Sequence, residues 1–471
     1  MKNIFLLFLL FPFCLNAQEI TGRVTCNGDG LDNVVVTDGI KCTITNKKGN
    51  YSLQTESRST FVYLSTPSGY LALRKNGNPI FYQRLNIAQQ KEYNFVLSKN
   101  QKDDTKHLCM VHADPQLYAE KNLVPYNKIL DDCIQFIQKN QDTDIIGIDC
   151  GDLVGDKPSL FEAYIQSTAR LDIPFYKVIG NHDMTLNGRS HETSYAKFES
   201  LFGPAYYSFN RGKAHYIVLN DVFYLARQYF YMGYLEEKVL AWLEQDLSHV
   251  AKGSLVFVAM HIPSMLQEKQ NNFQYTARDV ASQLCNATFL HKMLTPYKAH
   301  ILSGHMHYNK NVVHAPNLYE HITAAICGTW WQGKVCLDGT PQGYGVYEVD
   351  GDHLTWYFKS AGYPKEYQMR AYPVGSAKEY PKSVLVNVWN WDKAWKVELF
   401  ENGEKTGDMQ RVSTYDPAAE ALCSDKEKLD FKWISASKNE HMFIATPQQA
   451  NANLEVRVTD RFGETYQTTI K

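Results

Sequence analysis

The sequence lacks an excess of charge of either sign. Its 471 residues carry 48 Lys and Arg against 50 Asp and Glu, a formal net charge of −2. Nucleic-acid-binding domains are usually markedly basic, so this balance argues against a nucleic-acid-binding surface. Beyond the N-terminal region no stretch is apolar enough to span a bilayer, and we expect no transmembrane segment. The ten cysteines form no CxxC pair, so no zinc knuckle or dithiol redox site is indicated.

The first 18 residues, MKNIFLLFLLFPFCLNAQ, have the pattern of a secretory signal. One Lys precedes an apolar run too short to span a bilayer comfortably, and the run closes on the small residue Ala17. We expect cleavage near Ala17–Gln18 and export to the periplasm, outer surface or medium of a bacterium. Cys14 leaves a lipoprotein as an alternative, although Phe13 before it fits a lipobox poorly.

Nine cysteines would remain after this cleavage, and an odd number cannot all pair. Cys109, Cys150 and Cys327 lie in or beside apolar strand-like runs, where we expect buried free thiols. Cys26 and Cys42 flank a short β segment, and both a disulfide and two free thiols are compatible with their positions.

Five strand-like apolar stretches end in groups that bind metals, which is the strongest functional signal in the chain. The stretches are LCMVHADPQ (Asp114, Gln116), DIIGIDCGD (Asp152), FYKVIGNHD (Asn181, His182, Asp183), LVFVAMHIP (His261) and AHILSGHMH (His305, His307). Open α/β sheets place their chemistry at the carboxyl ends of strands. A single buried His is more often a core residue than a ligand, but five such strand ends in succession are hard to explain by packing. Carboxylate, amide and imidazole groups without thiolate suit Mn, Mg, Fe or Zn.

In their order these motifs resemble the calcineurin-like metallophosphoesterase family. That family's pattern is DxH, GDxx, GNHD/E, a lone His, and GHxH. Here the corresponding residues are Asp114-Pro115-Gln116, Gly151-Asp152, Gly180-Asn181-His182-Asp183, His261, and Gly304-His305-Met306-His307.

The resemblance implies two metal sites that share Asp152. Asp114, Gln116, Asp152 and His307 would hold one ion, and Asp152, Asn181, His261 and His305 would hold the other. Such ions lie about 3.5–4 Å apart and lower the pKa of a shared water. His182 would not be a ligand: it would face the phosphate and serve the developing charge or the leaving oxygen. We expect Asp183 to hold the His182 imidazole oriented and protonated, with a loop cap as its alternative role.

Gln116 departs from the usual family pattern, which has His at this position. An amide oxygen binds hard cations but is a weaker donor than imidazole and adds no charge. We therefore expect weaker binding at the first site and a preference for Mn or Mg, with Fe or Zn as alternatives. A role limited to positioning a water is the other interpretation of Gln116.

The spacing of turn signals and apolar residues changes along the chain, and it predicts an α/β central domain flanked by two small all-β sandwiches. The turn signals NGDG, TDG and KKGN break residues 19–97 into short strands, and this segment resembles carboxypeptidase-regulatory-like, transthyretin-like modules. A polar linker, 98–106, precedes a central domain over 107–375, in which strands alternate with helices. The family resemblance implies a four-layer α/β/β/α sandwich there. Residues 381–471 show period-two strands without any helix, and they resemble the C-terminal domain of exported Bacteroidetes-type family members.

Four further residues are candidates for contact with substrate. Arg227 lies in a Tyr- and Phe-rich insertion before His261, where core packing is the commoner role of such aromatics. Asp221 ends a strand and could reach the site or serve as a turn residue. Trp330 and Trp331 are adjacent, so they point in different directions: we expect one to be exposed for stacking and the other to pack in the core.

These observations predict an exported dimetal phosphoesterase that attacks a phosphate mono- or diester with a metal-bound hydroxide. The expected substrate is a small-molecule or a glycan- or lipid-linked phosphate ester. One alternative is a surface binding protein with a degenerate phosphoesterase scaffold, and another is a hydrolase of non-phosphate esters. The sequence does not indicate the oligomeric state.

Overall fold

The computed structural model describes residues 18–225, 230–267 and 276–470. The predicted secretory signal, apart from Gln18, therefore lies outside the described residues. So does Arg227.

Two sheets form the middle of the molecule. The first has the strand order Phe175–Lys177, Asp144–Asp149, Lys106–His112, Gly343–Asp350, His353–Ser360. The second has the order Tyr207–Arg211, Ala214–Val218, Leu255–Ala259, Lys298–Ser303, Leu318–Ile322, Lys310–Ala315. The first three strands of the first sheet run parallel, as do the four strands from Ala214–Val218 to Leu318–Ile322. Their carboxyl ends consequently meet at one edge of each sheet.

Both sheets are buried on both faces, because successive side chains of a strand alternate between two cores. Leu108 and Met110 pack into the core beneath the first helices, whereas Cys109 and Val111 pack between the sheets. In the second sheet Phe257 faces the first sheet, whereas its strand neighbours Val256 and Val258 face a third core under the later helices. This alternation produces the predicted α/β/β/α order of layers.

Helices of the central region cover the outer faces of the two sheets. The α-helices described are Leu123–Lys139, Phe161–Ala169, His191–Ser194, Ala196–Phe202, Glu237–Ser248, Ala277–Ser282, Ala287–Leu294 and Pro417–Ser424. Short 3₁₀ turns occupy Glu120–Asn122, Pro158–Leu160, Asn181–Asp183 and Lys426–Lys428. The first two long helices contribute to the core under the first sheet, and Glu237–Ser248 with Ala287–Leu294 to the core under the second.

The N-terminal region consists of short strands in two sheets and a ribbon. One sheet contains Gln18–Cys26, Asp29–Gly30, Asn50–Thr55, Tyr70–Leu71 and Phe95–Lys99, and the other Val35–Thr37, Cys42–Ile44, Phe61–Leu64 and Tyr82–Arg84. The ribbon pairs Leu73–Lys75 with Asn78–Ile80, and a second ribbon, in the central region, pairs Val222–Tyr224 with Tyr231–Gly233. The N-terminal strands pack on the central domain, since Phe81 contacts Tyr207 with ring centroids 4.6 Å apart.

The C-terminal region also has two four-stranded sheets. Their strands are Arg370–Tyr372, Val384–Asn387, Asn439–Ala445 and Gln410–Thr414 in one, and Glu404–Asp408, Lys396–Glu401, Leu454–Thr459 and Thr465–Ile470 in the other. The expectation of no helix here was wrong. Helix Pro417–Ser424 begins at the N-cap Asp416, whose carboxylate accepts hydrogen bonds from the N–H groups of Ala418 and Ala419.

All nine cysteines among the described residues are free thiols, Cys26 and Cys42 included. Cys109, Cys150 and Cys327 are fully buried, as expected. In the same described ranges, no helix combines the length and apolarity that crossing a bilayer requires.

Candidate metal centre

The residues at the five predicted strand ends come together where the carboxyl edges of the two central sheets meet. Asp114, Gln116, Asp152, Asn181, His261 and His307 are all at most 4% exposed. Two clusters emerge in which every potential ligand atom lies within 4.8 Å of the others: Asp114 with Asp152 and His307, and Asp152 with His261 and His305. Asp152 belongs to both, so the arrangement has two adjacent sites with one shared carboxylate.

Strained backbone aims these side chains at one point. Asp114, Gln116, Asp152, His305 and His307 have positive φ angles of 51°, 40°, 55°, 66° and 55°. Side chains other than Gly rarely adopt this conformation, and its cost is usually tolerated at functional sites.

Two glycines of the motifs are required by close approach. A Cβ added to Gly180 would lie 2.2 Å from the Asp152 Oδ1 atom, and one added to Gly304 would lie 2.6 Å from the Asp114 Oδ2 atom. The backbone therefore passes directly behind both carboxylates, which explains why glycine precedes the polar residues in GNHD and GHMH.

Hydrogen bonds to backbone carbonyls orient the imidazoles of His261 and His305 so that one nitrogen of each faces the other ligand groups. His261 Nδ1 lies 2.8 Å from the Cys150 carbonyl oxygen, and His305 Nε2 lies 2.9 Å from the Ala281 carbonyl oxygen. A carbonyl accepts but does not donate, so each of these nitrogens carries the proton. The opposite nitrogens, His261 Nε2 and His305 Nδ1, are 3.1 Å apart, and His261 Nε2 is 3.0 Å from Asn181 Oδ1.

Electrostatics at this point favour a positive charge. Burial disfavours an imidazolium, yet the Asp152 carboxylate raises the pKa of His261 to about 10. Burial and the neighbouring His261 lower the pKa of His305 to about 3. Burial also opposes ionisation of Asp152, but His261 and His182 hold the pKa of this carboxyl well below its usual range. A proton on His261 thus balances the negative charge of the buried Asp152 carboxylate. A divalent cation at the same place would balance it better, because it carries two positive charges.

The donor set of the first cluster also fits a cation. His307 Nε2 lies 3.3 Å from Asp114 Oδ1, and the Gln116 amide donates to Asp152 Oδ2 over 2.8 Å. Gln116 Oε1 is buried without a hydrogen-bond partner, an arrangement that costs about 1–3 kcal/mol for a polar group. Turning the amide by 180° would bring this oxygen to the centre as a ligand. This rotation exchanges the amide oxygen and nitrogen. Gln116 is therefore compatible with binding an ion and with positioning a water, the two roles predicted from the sequence.

His182 lies beside the clusters and is oriented by a residue that the sequence analysis missed. Its Nδ1 atom is 2.9 Å from Asp156 Oδ1, and its Nε2 atom is 3.9 Å from Asp152 Oδ2. Burial opposes protonation, but Asp152 and Asp156 outweigh it and raise the pKa of His182. The imidazole is thus poised to carry a proton next to the Asp152 carboxylate that the two clusters share.

Asp183 does not make the expected contact with His182. Its two carboxylate oxygens accept hydrogen bonds from the N–H groups of Val154 (3.0 Å) and Gly180 (2.9 Å). Burial raises the pKa of Asp183 to about 8. The short 3₁₀ turn Asn181–Asp183 directs its side chain back into the protein, so it ties together the loops that carry Asp152 and Asn181.

Asp221 is likewise turned away from the space above the clusters. It is fully buried, and its oxygens accept from the N–H groups of His261 (3.1 Å) and Ile262 (2.9 Å). Its observed contact is the positioning of the His261 strand end, not the substrate contact considered from the sequence.

Both adjacent tryptophans are half-buried, so neither is the exposed stacking residue expected from the sequence. Trp330 is covered because it packs against residues of the C-terminal region. Trp331 Nε1 donates to the Pro115 carbonyl over 3.0 Å, so this ring supports the loop that carries Gln116. The Trp330 ring lies 4.6 Å from the His307 ring and 6.0 Å from the His182 ring, centroid to centroid. Trp330 therefore forms one wall of the site.

Two aromatic residues of the C-terminal region extend this wall. Phe431 and Trp433 have ring centroids 6.1 Å and 5.5 Å from that of Trp330, and Trp433 is 65% exposed. Asp430 anchors their loop by accepting a hydrogen bond from Tyr118 Oη over 2.9 Å. Their part in the site was not predicted, because they lie more than a hundred residues after the last metal-binding motif.

A third cluster of His291, His314 and Glu320 lies apart from the other two and shares no residue with them. The Glu320 carboxylate already accepts hydrogen bonds from the Ser264 N–H (2.6 Å) and hydroxyl (2.5 Å), and His314 Nε2 lies 2.7 Å from it. The Glu320 carboxylate is therefore already compensated by hydrogen bonds within the protein, whereas His314 Nδ1 is buried without a partner.

Comparisons with known proteins match three segments of the chain. Residues 81–309 match the family described as Calcineurin-like phosphoesterase, residues 18–100 the N terminal of Calcineurin-like phosphoesterase, and residues 320–466 its C terminal. A search of the curated proteins finds no match.

Solved structures that resemble the chain do so at low identity. A dimetal phosphatase from Danio rerio has 12% identity and a TM-score of 0.38, with 54% of this chain and 96% of that chain covered. A purple acid phosphatase from yellow lupin (Lupinus luteus) seeds has 11% identity and a TM-score of 0.34, with 93% and 69% covered. A 5'-nucleotidase from Candida albicans has 12% identity and a TM-score of 0.30, with 56% and 53% covered.

Replacing Gln116 with His should strengthen metal binding at the first cluster, because an imidazole nitrogen is a better donor to Mn, Fe or Zn than an amide oxygen. We expect Gln116→His to retain both ions at chelator concentrations that remove one ion from the unaltered protein. Metal analysis of the dialysed protein measures this. Equal loss of metal from both proteins would show that residue 116 does not contact an ion.

Replacing Asp156 with Asn should lower kcat by about 10- to 100-fold while leaving the bound metal unchanged, because the His182 imidazole would lose the carboxylate that orients it. The loss should be larger for an alkyl phosphate than for p-nitrophenyl phosphate, since a poor leaving group needs the proton more. Asp156→Glu should recover part of the activity. A uniform loss for both esters would contradict a role through His182.

Proposed function

The chain belongs to the calcineurin-like phosphoesterase family, and on that premise we propose which substrates it hydrolyses and which residues act. It is a metal-dependent phosphoric ester hydrolase by family membership. We propose that it acts on a small-molecule or a glycan- or lipid-linked phosphate ester outside the cytoplasm. The export proposal depends on the signal-like pattern of residues 1–18.

One observation carries the proposal: two clusters of ligand groups share the carboxylate of Asp152. We propose that Asp114, Gln116, Asp152 and His307 hold one divalent ion, and that Asp152, Asn181, His261 and His305 hold the other. Mn or Mg suits a set rich in oxygen donors, and the imidazoles also accommodate Fe or Zn. When bound, a pair of such ions supplies a hydroxide nucleophile near neutral pH and offsets the charge of the phosphate.

The protein's own side chains would then serve the leaving group. In this proposal His182, with Asp156 on its Nδ1 atom, presents its Nε2 proton to the ester oxygen or to the developing negative charge. Asp183 and Asp221 keep the loops of Asp152 and His261 in place through backbone hydrogen bonds. Trp330 borders the space that the alcohol part of the ester would occupy.

The proposed activity is tested by hydrolysis of p-nitrophenyl phosphate and bis(p-nitrophenyl) phosphate by the chain without residues 1–18. After chelation, Mn, Mg, Fe or Zn is added back singly. We expect turnover that requires metal and that is abolished in Asp152→Asn, because this change weakens both clusters at once. Asp172→Asn, at a carboxylate whose side chain is 90% exposed, serves as the matched control.

The two esters separate phosphomonoesterase from phosphodiesterase activity, which the ligand set alone does not distinguish. Metal-dependent turnover of either one supports the proposal. A folded chain that binds no metal and turns over neither ester would instead favour the surface binding protein with a degenerate scaffold.

Replacing Trp330 with Ala should raise KM by about 3- to 10-fold for an ester with a ring in its alcohol part, because a stacking surface is lost. The KM for glycerol 1-phosphate should change little. Trp433→Ala, at the exposed end of the same wall, should have a smaller effect in the same direction. Parallel KM increases for both esters, with the metal content unchanged, would remove Trp330 from substrate selection.

A further inference from the structure

A second cleft, distinct from the metal centre, lies where the central domain meets the C-terminal strands. Its volume is about 580 Å³, within the range of small-molecule sites. Strand Lys310–Ala315 forms one side, and strands Gln410–Thr414 and Asn439–Ala445 form the other. Tyr308 and Asn309 line it directly after His307, but none of the proposed metal ligands does.

Asn309 lines this cleft and carries an unused hydrogen-bond donor. The residue is 5% exposed, and its Oδ1 atom accepts from the Ala324 N–H over 2.8 Å. Its Nδ2 atom is buried and has no hydrogen-bond partner. Buried amide groups are nearly always paired, and an unpaired one is costly. Rotation of the Asn309 side chain towards the cleft would let an acceptor atom of a ligand satisfy it.

Arg411 adds a positive charge on the opposite side. Its guanidinium carbon lies 4.5 Å from the centroid of the Trp391 ring, and the residue forms no ion pair with an acid in the described part of the chain. A guanidinium stacked on an aromatic face keeps its edge N–H groups available, and these match the two oxygens of a carboxylate or phosphate.

The acids that line the cleft are already engaged. Asp392 lies 2.8 Å from Arg461, and Glu440 lies 3.5 Å from Lys310. Lys438 also lines the cleft, and it forms an ion pair over 2.7 Å with Glu379, which does not line the cleft. Asn309 Nδ2 and Arg411 are donors that none of these acids engages. Four basic residues line the cleft, Lys310, Lys393, Arg411 and Lys438, against two acids, so its charge favours an anion.

We propose that this cleft binds a small organic oxyanion, a carboxylate or phosphate carried on a polar body of about monosaccharide size. Arg411 takes the oxyanion, Asn309 donates to an oxygen of the body or of the oxyanion, and Trp391 fixes the guanidinium. A bare inorganic anion would fill only part of the volume, so we expect the larger ligand to bind more tightly. This site is independent of phosphate ester hydrolysis.

Isothermal titration calorimetry with glucuronate, inorganic phosphate and glucose tests the proposal, because none of the three is a phosphate ester. The full chain is titrated with metal bound and again after chelation. We expect saturable binding of glucuronate in both states and no binding of glucose. In the chelated protein, phosphate should bind more weakly than glucuronate. Phosphate binding tighter than that of glucuronate in the chelated protein would assign the oxyanion as phosphate and still support the site.

The variants identify where the probe binds. Arg411→Ala should weaken binding by about 10- to 100-fold, the usual effect of losing a charge-assisted pair, and Arg411→Lys should weaken it less. Arg411 is exposed, so neither change should alter folding, which thermal unfolding checks. The matched control is Arg84→Ala, which removes an exposed guanidinium stacked 4.7 Å over Phe61 in the N-terminal region.

Three outcomes would overturn the proposal. The first is the absence of saturable binding for both anions. The second is anion binding that Arg411→Ala leaves unchanged or that Arg84→Ala weakens equally. The third is anion binding that disappears entirely on chelation, since it would then occur at the metal centre. Each is distinguishable from loss of hydrolysis, because no probe is turned over.

Discussion

The Asp152 carboxylate is the constraint on which the rest of the site depends. It is 1% exposed and belongs to both clusters of potential ligands. A buried carboxylate is costly unless cations or hydrogen bonds compensate it. Within the protein the compensation comes from the backbone N–H of His182, the side-chain amide of Gln116 and a proton on His261. Divalent ions at the two clusters would supply more charge at the same place, which is why the arrangement favours metals over a purely protein-based balance.

The fold is arranged to bring groups to this carboxylate from two directions. Parallel strands of one sheet deliver Asp114, Asp152 and Asn181, and parallel strands of the other deliver His261 and His305. The core between the sheets contains a row of stacked aromatic rings, Tyr176, Phe209, Tyr216 and Phe257, with neighbouring centroids 3.7–4.9 Å apart. Rigid packing of this kind fixes the separation of the two edges, so the ligand groups need little adjustment to meet.

Local sequence patterns made the strands and the site of the central domain predictable. Apolar runs that end in Gly and polar residues marked the strand ends, and the order of motifs marked the metal clusters. Contacts between distant loops were not visible in this way. Asp156 follows Asp152 by four residues in GDLVGD, but only the folded chain shows that it reaches His182, whereas Asp183 is turned away. Phe431 comes from a region with no metal-binding motif.

The helix of the C-terminal region was missed for a different reason. Its start signal, Asp416 followed by Pro417, is present in the sequence, but the surrounding period-two strands outweighed it. Short helices between strands leave little periodicity to detect. The division of the chain into three domains with the boundaries given above stays a prediction. The predicted linker marks no clear boundary, because the strands Phe95–Lys99 and Lys106–His112 lie only a few residues apart and Asp104 between them is buried.

Anomalous X-ray diffraction from crystals of the Mn-loaded protein would locate the ions. We expect two peaks about 3.5–4 Å apart on either side of Asp152, one beside Asp114 and His307 and the other beside His261 and His305. A single peak, or peaks only at the separate cluster of His291, His314 and Glu320, would contradict a dimetal centre built on the shared carboxylate.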